Sequence, residues 1–126
     1  LDLGDRGEFF ELFGSVFEFR DTDYVYSFWP FDRITQNGVN GGSEVVIGQW
    51  SSDDGWSGAD YRTMVYGRGT VCPNSVARTA TVHLTCGTEN RITSVNEPDR
   101  CVYRVEFETP AACLPRHGAD STHDEL

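Results

Sequence analysis

Hydrophobic and polar positions alternate most cleanly in two stretches of the chain. From Ala77 to Cys86, Arg78, Ala80, Val82, Leu84 and Cys86 fall on one face and Thr79, Thr81, His83 and Thr85 on the other. That period of two predicts a half-buried strand. From Cys101 to Thr109 the rule repeats, with Cys101, Tyr103, Val105 and Phe107 opposite Arg104, Glu106 and Glu108. Shorter β-rich runs occupy Tyr24 to Phe28, Ile34 to Gln36, Val45 to Trp50 and Thr63 to Tyr66, divided by Pro30 and by Gly-rich stretches at 37–42 and 51–58. Such breakers are turn signals. Only Gly7 to Phe13 has the pattern for a turn or two of helix. Many short strands between Gly-rich turns predict an all-β domain, a flattened antiparallel β-barrel or sandwich of two sheets. The expected organisation is an N-terminal extension over 1–8, one domain over 9–113, and a polar tether over 114–126.

Two residues do not fit their faces. Arg78 lies on the apolar side of its strand, where an unpaired charge is costly, so it needs a partner or a place at an open rim. Tyr103 shares the inward side with Val105 and Phe107, and a buried hydroxyl needs a partner. Glu97, before Pro98, stands where a loop enters the Tyr103 strand. Brought together, these residues supply planar donors, a carboxylate and a phenol, a set suited to the vicinal hydroxyls of a neutral polyol. The competing reading is a structural Arg78–Glu97 salt bridge at a sheet edge.

Composition narrows the ligand. The chain of 126 residues is long enough for one domain with one core. Twenty acidic residues against ten basic ones, all Arg, leave a formal charge of -10, which argues against nucleic acid or an anionic membrane as partner. No run approaches the roughly 20 apolar residues that cross a bilayer. Of the three histidines, His83 is on a polar face and His117 and His123 are in the tail, so no catalytic triad or metal-ligand spacing emerges. Asp53 and Asp54 beside Gly55 lack the ligand rhythm of a calcium loop. No enzyme site, metal or cofactor is expected.

The chain closes on His123, Asp124, Glu125 and Leu126, the sequence and position of an endoplasmic-reticulum retrieval signal. This predicts a lumenal location and an HDEL receptor as a partner. With no entry signal before it, the sequence is expected to be the C-terminal part of a longer precursor. Cys72, Cys86, Cys101 and Cys113 contain no CxxC pair, so disulfides are expected rather than a zinc or redox site. Four cysteines allow three pairings, and spacing does not choose among them.

The segments YVYSFWPFDRITQ (24–36), NGGSEVVIGQW (40–50), GRGTVCPNSVARTATVHLTCG (67–87) and NEPDRCVYRVEFETPAAC (96–113), with the terminal HDEL, resemble the mannose 6-phosphate receptor homology (MRH) family over residues 9–126. The resemblance implies a flattened barrel of two antiparallel sheets and a mannose site at Gln36, Arg78, Glu97 and Tyr103. It also implies the pairings Cys72–Cys101 and Cys86–Cys113. A further N-terminal disulfide, frequent in relatives, falls here on Val16 and Trp29 and is absent. Phosphorylated sugars need additional basic groups, and the sequence offers no basic cluster besides Arg78, so unphosphorylated mannose is expected. MRH lectins of endoplasmic-reticulum-associated degradation, the alternative branch, have two adjacent Trp before the Gln strand. This chain has Asp23 and Tyr24 there, which favours the branch that serves a separate catalytic α subunit in glucose trimming. The expected function is thus a non-catalytic lectin for terminal mannose of high-mannose N-glycans, with Tyr24, Trp50 and Trp56 as possible further sugar contacts.

Overall fold

The structure is a computed structural model and describes residues 1–113. Eight strands follow in chain order: β1 (Phe17–Arg20), β2 (Tyr24–Trp29), β3 (Arg33–Gly38), β4 (Val45–Trp50), β5 (Thr63–Gly67), β6 (Thr79–Cys86), β7 (Arg91–Asp99) and β8 (Val102–Thr109). They form one hydrogen-bonded sheet in the order β1-β2-β3-β4-β5-β6-β8-β7. Its two outermost strands, β1 and β7, approach each other, so the sheet curls into a nearly closed barrel with its apolar face inward. Curling brings the edges together and leaves little unpaired edge exposed.

The two alternating runs form neighbouring staves. β6 and β8 pair in register over Thr79↔Val102 to Cys86↔Thr109, and the inward residues Ala80, Val82 and Leu84 stand beside Tyr103, Val105 and Phe107. This pair is parallel while every other ladder is antiparallel. The cause is topological. After β6 the chain runs back along the outer strand β7, and β8 then returns through the gap between them. Around this seam the core is aromatic: the Phe28 ring lies edge-on to Tyr66 at 5.7 Å and to Phe107 at 5.3 Å. Burying such rings removes large apolar areas from water, a major favourable contribution to folding.

Two strands exceed what the pattern predicts. β1 is a four-residue strand, and β7 buries only Ile92 fully along its length, so β1 is too short and β7 too exposed to stand out. The helical expectation at Gly7 to Phe13 reduces to a three-residue 3₁₀ turn, Phe10–Leu12, and a second such turn, Pro110–Cys113, follows β8. Residues 1–8 are held to the barrel rather than free of it. Leu3 packs on the core, the Asp2 carbonyl accepts from Trp56 Nε1 at 2.9 Å, and the Asp2 carboxylate accepts from the Tyr61 hydroxyl.

Cys72–Cys101 and Cys86–Cys113 are both bonded, spanning 29 and 27 residues. One bridge ties the loop before β6 to the start of β8, and the other ties the end of β6 to the turn after β8. Each end of the parallel seam is thereby clamped. The tail 114–126, with the tetrapeptide His123–Leu126 expected to act as a retrieval signal, lies outside the described residues.

Candidate functional site

One mouth of the barrel opens where β2 and β8 begin and where β3 and β7 end. A cavity of about 300 Å³ there is lined by Tyr24, Tyr26, Gln36, Arg78, Glu97, Arg100 and Tyr103, with Pro73 and the Cys72–Cys101 bridge at one side. Such a volume lies at the lower end of small-molecule clefts. All four principal residues expected from the sequence meet in it, as does Tyr24. They are spread along the chain from Gln36 to Tyr103 and are gathered by the strand order.

Arg78 is held from several directions. Its Nε donates to the Tyr103 hydroxyl at 3.3 Å, and its Nη1 donates to the carbonyls of Thr70 and Val71 at 3.1 and 3.3 Å. A guanidinium has five N–H donors, so the second terminal nitrogen keeps its two for a ligand. Accepting from Arg78 leaves the Tyr103 hydroxyl hydrogen available as a donor. Glu97 sits in the irregular stretch of β7, where the register with β8 shifts between Asn96 and Asp99. One of its carboxylate oxygens accepts from the Cys101 N–H at 2.6 Å. Cys101 adopts a left-handed backbone, φ 68, unusual without glycine, and this hydrogen bond and the bridge to Cys72 hold it there. The other Glu97 oxygen remains as an acceptor. No ion pair joins Arg78 to Glu97 among the described residues, so the salt-bridge reading has no support in the geometry.

Gln36 stands directly opposite Tyr26 in the β2–β3 ladder. Its Nε2 donates to the Tyr26 hydroxyl at 3.1 Å, which fixes the amide plane and leaves the carbonyl and one N–H for the cavity. Burial pushes the Tyr26 phenol above its ordinary pKa, and the Gln36 hydrogen bond opposes that shift only in part. Tyr26 therefore stays neutral near pH 7. The Tyr24 ring, 40% exposed, lies 6.0 Å from Tyr26 and forms an apolar wall at the mouth.

The structure does not bring Trp50 and Trp56 to this cavity. They pack at the other end of the β2–β3 hairpin against Phe31, Tyr61, Tyr66 and Phe9. Tyr26, Pro73 and Arg100 are the cavity residues that sequence reasoning missed. Tyr26 is the direct cross-strand partner of Gln36, a relation that hairpin register carries. Arg100 adds a single further basic residue at the cavity, where the sequence shows no basic cluster besides Arg78.

The family model described as "Glucosidase II beta subunit-like protein" matches residues 10–125. The chain belongs to that family. Among members of the glucosidase II beta subunit-like family, "Glucosidase 2 subunit beta" of Bos taurus and that of Homo sapiens are each 40% identical over 132 residues, covering 100% of this chain and 24% of theirs. The chain thus spans about a quarter of the length of these relatives. The crystal structure of the MRH domain of glucosidase II beta bound to mannose superposes with a TM-score of 0.65 at 27% identity, over 82% of this chain and 98% of that one. The all-β barrel described above is accordingly an MRH domain.

Proposed function

We propose that this domain is a non-catalytic lectin module that binds a terminal mannose of high-mannose N-glycans in the cavity between Gln36, Arg78, Glu97 and Tyr103. The observation that carries the reading is the unspent hydrogen-bonding capacity of those four side chains in one cleft, in a fold whose solved relative is bound to mannose. Two Arg78 N–H groups and the Tyr103 hydroxyl donate to sugar oxygens. The free Glu97 oxygen and the Gln36 carbonyl accept from sugar hydroxyls. Adjacent hydroxyls on one ring match this interleaving of donors and acceptors, and the Tyr24 ring covers an apolar face of the sugar.

A single-sugar site open to solvent is weak, with a free-mannose Kd on the order of 1 mM, about 4 kcal/mol. Tethering adds the rest. Holding one arm of a glycan near the catalytic α subunit of glucosidase II raises the effective concentration of the glucose-bearing arm. The HDEL terminus supports residence in the endoplasmic-reticulum lumen through an HDEL receptor. In this reading the α subunit removes glucose and the present chain performs no chemistry. Asp23 and Tyr24, in place of a Trp pair, favour it over a lectin of endoplasmic-reticulum-associated degradation.

Glycan-array binding tests the site. Arg78→Ala and Glu97→Gln each abolish mannose binding while thermal melting stays cooperative, and retained binding in either variant overturns the assignment. The isolated domain is expected to leave chromogenic glycosides intact.

A further inference from the structure

We infer that Arg100 is a specificity-determining residue that contacts the second sugar of a bound mannose chain. The inference rests on the mannose reading above and extends it past the terminal residue. Arg100 lines the cavity and is exposed. Its guanidinium makes no hydrogen bond or ion pair among the described residues, although the chain carries 20 acidic residues. Arg78, by contrast, is immobilised on Tyr103 and two carbonyls.

The backbone beneath Arg100 is pinned on both sides. Glu97 accepts from the Cys101 N–H at 2.6 Å, and Cys101 is bonded to Cys72. A long, unpartnered donor therefore projects from a rigid turn that itself supplies Glu97 to the floor. The floor residues Gln36, Tyr26 and Tyr103 are 8%, 6% and 4% exposed, so the terminal sugar is read below and the rest of the glycan leaves through the mouth that Arg100 borders. A planar guanidinium with all five N–H groups free suits the hydroxyl and glycosidic oxygens of that next residue. The sugar at the floor does not require it.

Titration calorimetry with methyl α-mannoside and with an α-linked mannobiose separates the two roles. The wild-type domain binds the disaccharide more tightly than the monosaccharide. Arg100→Gln weakens the disaccharide about fivefold more than the monosaccharide, and so removes the disaccharide advantage, as expected for one solvent-exposed hydrogen bond. Arg100→Lys retains part of that advantage. Equal weakening toward both ligands, no change toward either, or a wild-type domain without a disaccharide advantage overturns the inference while leaving the mannose reading intact. A wild-type domain that binds neither sugar overturns both.

Discussion

The β2–β3 hairpin carries aromatic rings at both of its ends, and the two ends use them in opposite ways. At the turn end, Phe31, Trp50, Trp56, Tyr61, Tyr66 and Phe9 pack ring against ring with centroids 4.8 to 6.0 Å apart. Their polar handles are largely occupied: Trp56 Nε1 and the Tyr61 hydroxyl donate to Asp2, and the Tyr66 hydroxyl accepts from the Phe31 N–H at 3.0 Å. Among the described residues only Trp50 Nε1 is buried without a partner. At the open end, Tyr24, Tyr26 and Tyr103 stand beside Gln36, Arg78 and Glu97, and each polar group there keeps capacity in reserve. Aromatic density alone does not mark a sugar site. In the proposed reading, spare donors and acceptors beside an accessible ring do.

The comparison breaks most decisively through the core of the turn end. Phe9 is 1% exposed, so Phe9→Ala is expected to lower unfolding free energy by about 3–5 kcal/mol in a denaturant titration. The fraction still folded keeps its mannose affinity; lost affinity would mean that the two ends are coupled. Replacing Cys72 and Cys101 together by Ser should cost about 2–4 kcal/mol and also weaken binding, because this bridge lines the cavity. Tyr66→Phe orphans the buried Phe31 N–H, a loss of about 1–3 kcal/mol with no change in binding. Tyr26→Phe reverses that signature. Melting is nearly unchanged while calorimetry shows affinity falling by the worth of one neutral hydrogen bond, about 0.5–1.5 kcal/mol, since Gln36 loses its anchor.

The smallest effect is a pH dependence at the turn end. The Tyr61 phenol, hydrogen-bonded to the Asp2 carboxylate and partly desolvated, is pushed up to about 12. In the unfolded chain it ionises near about pH 10. Its contribution is thus complete below that value and disappears as pH climbs toward about 12, because the unfolded state releases the proton first. Denaturation midpoints measured across this window should fall, and Asp2→Ala should flatten the slope attributable to Tyr61.

How much of this was legible before folding differs by element. β6 and β8 were plain because one face of each is buried and the other wet. β7 was obscure because it is an outermost strand whose Glu97 and Pro98 interrupt the ladder. The parallel pairing of β6 with β8 left no trace, since alternation records which face is buried but not the direction of a neighbour. Within the site, Arg78 and Tyr103 stood out as polar groups on an apolar face, and Gln36 emerged only through family resemblance. Tyr26 reads as an ordinary core aromatic. Arg100, exposed in a turn, breaks no pattern at all. Trp50 and Trp56 attracted notice for ring chemistry that the fold spends on packing.

The sequence by itself determined which faces of the main strands turn inward, that the fold is all-β, and the family to which the chain belongs. These are properties of short windows and of motif order, and they survive without coordinates. Tertiary structure decided strand order, the clamped parallel seam, and which side chains meet with hydrogen bonds still unspent. The physical reason is that strand periodicity is local, whereas convergence depends on pairing between residues distant in the chain. Whether a donor is occupied or free depends in turn on the neighbours that such pairing brings.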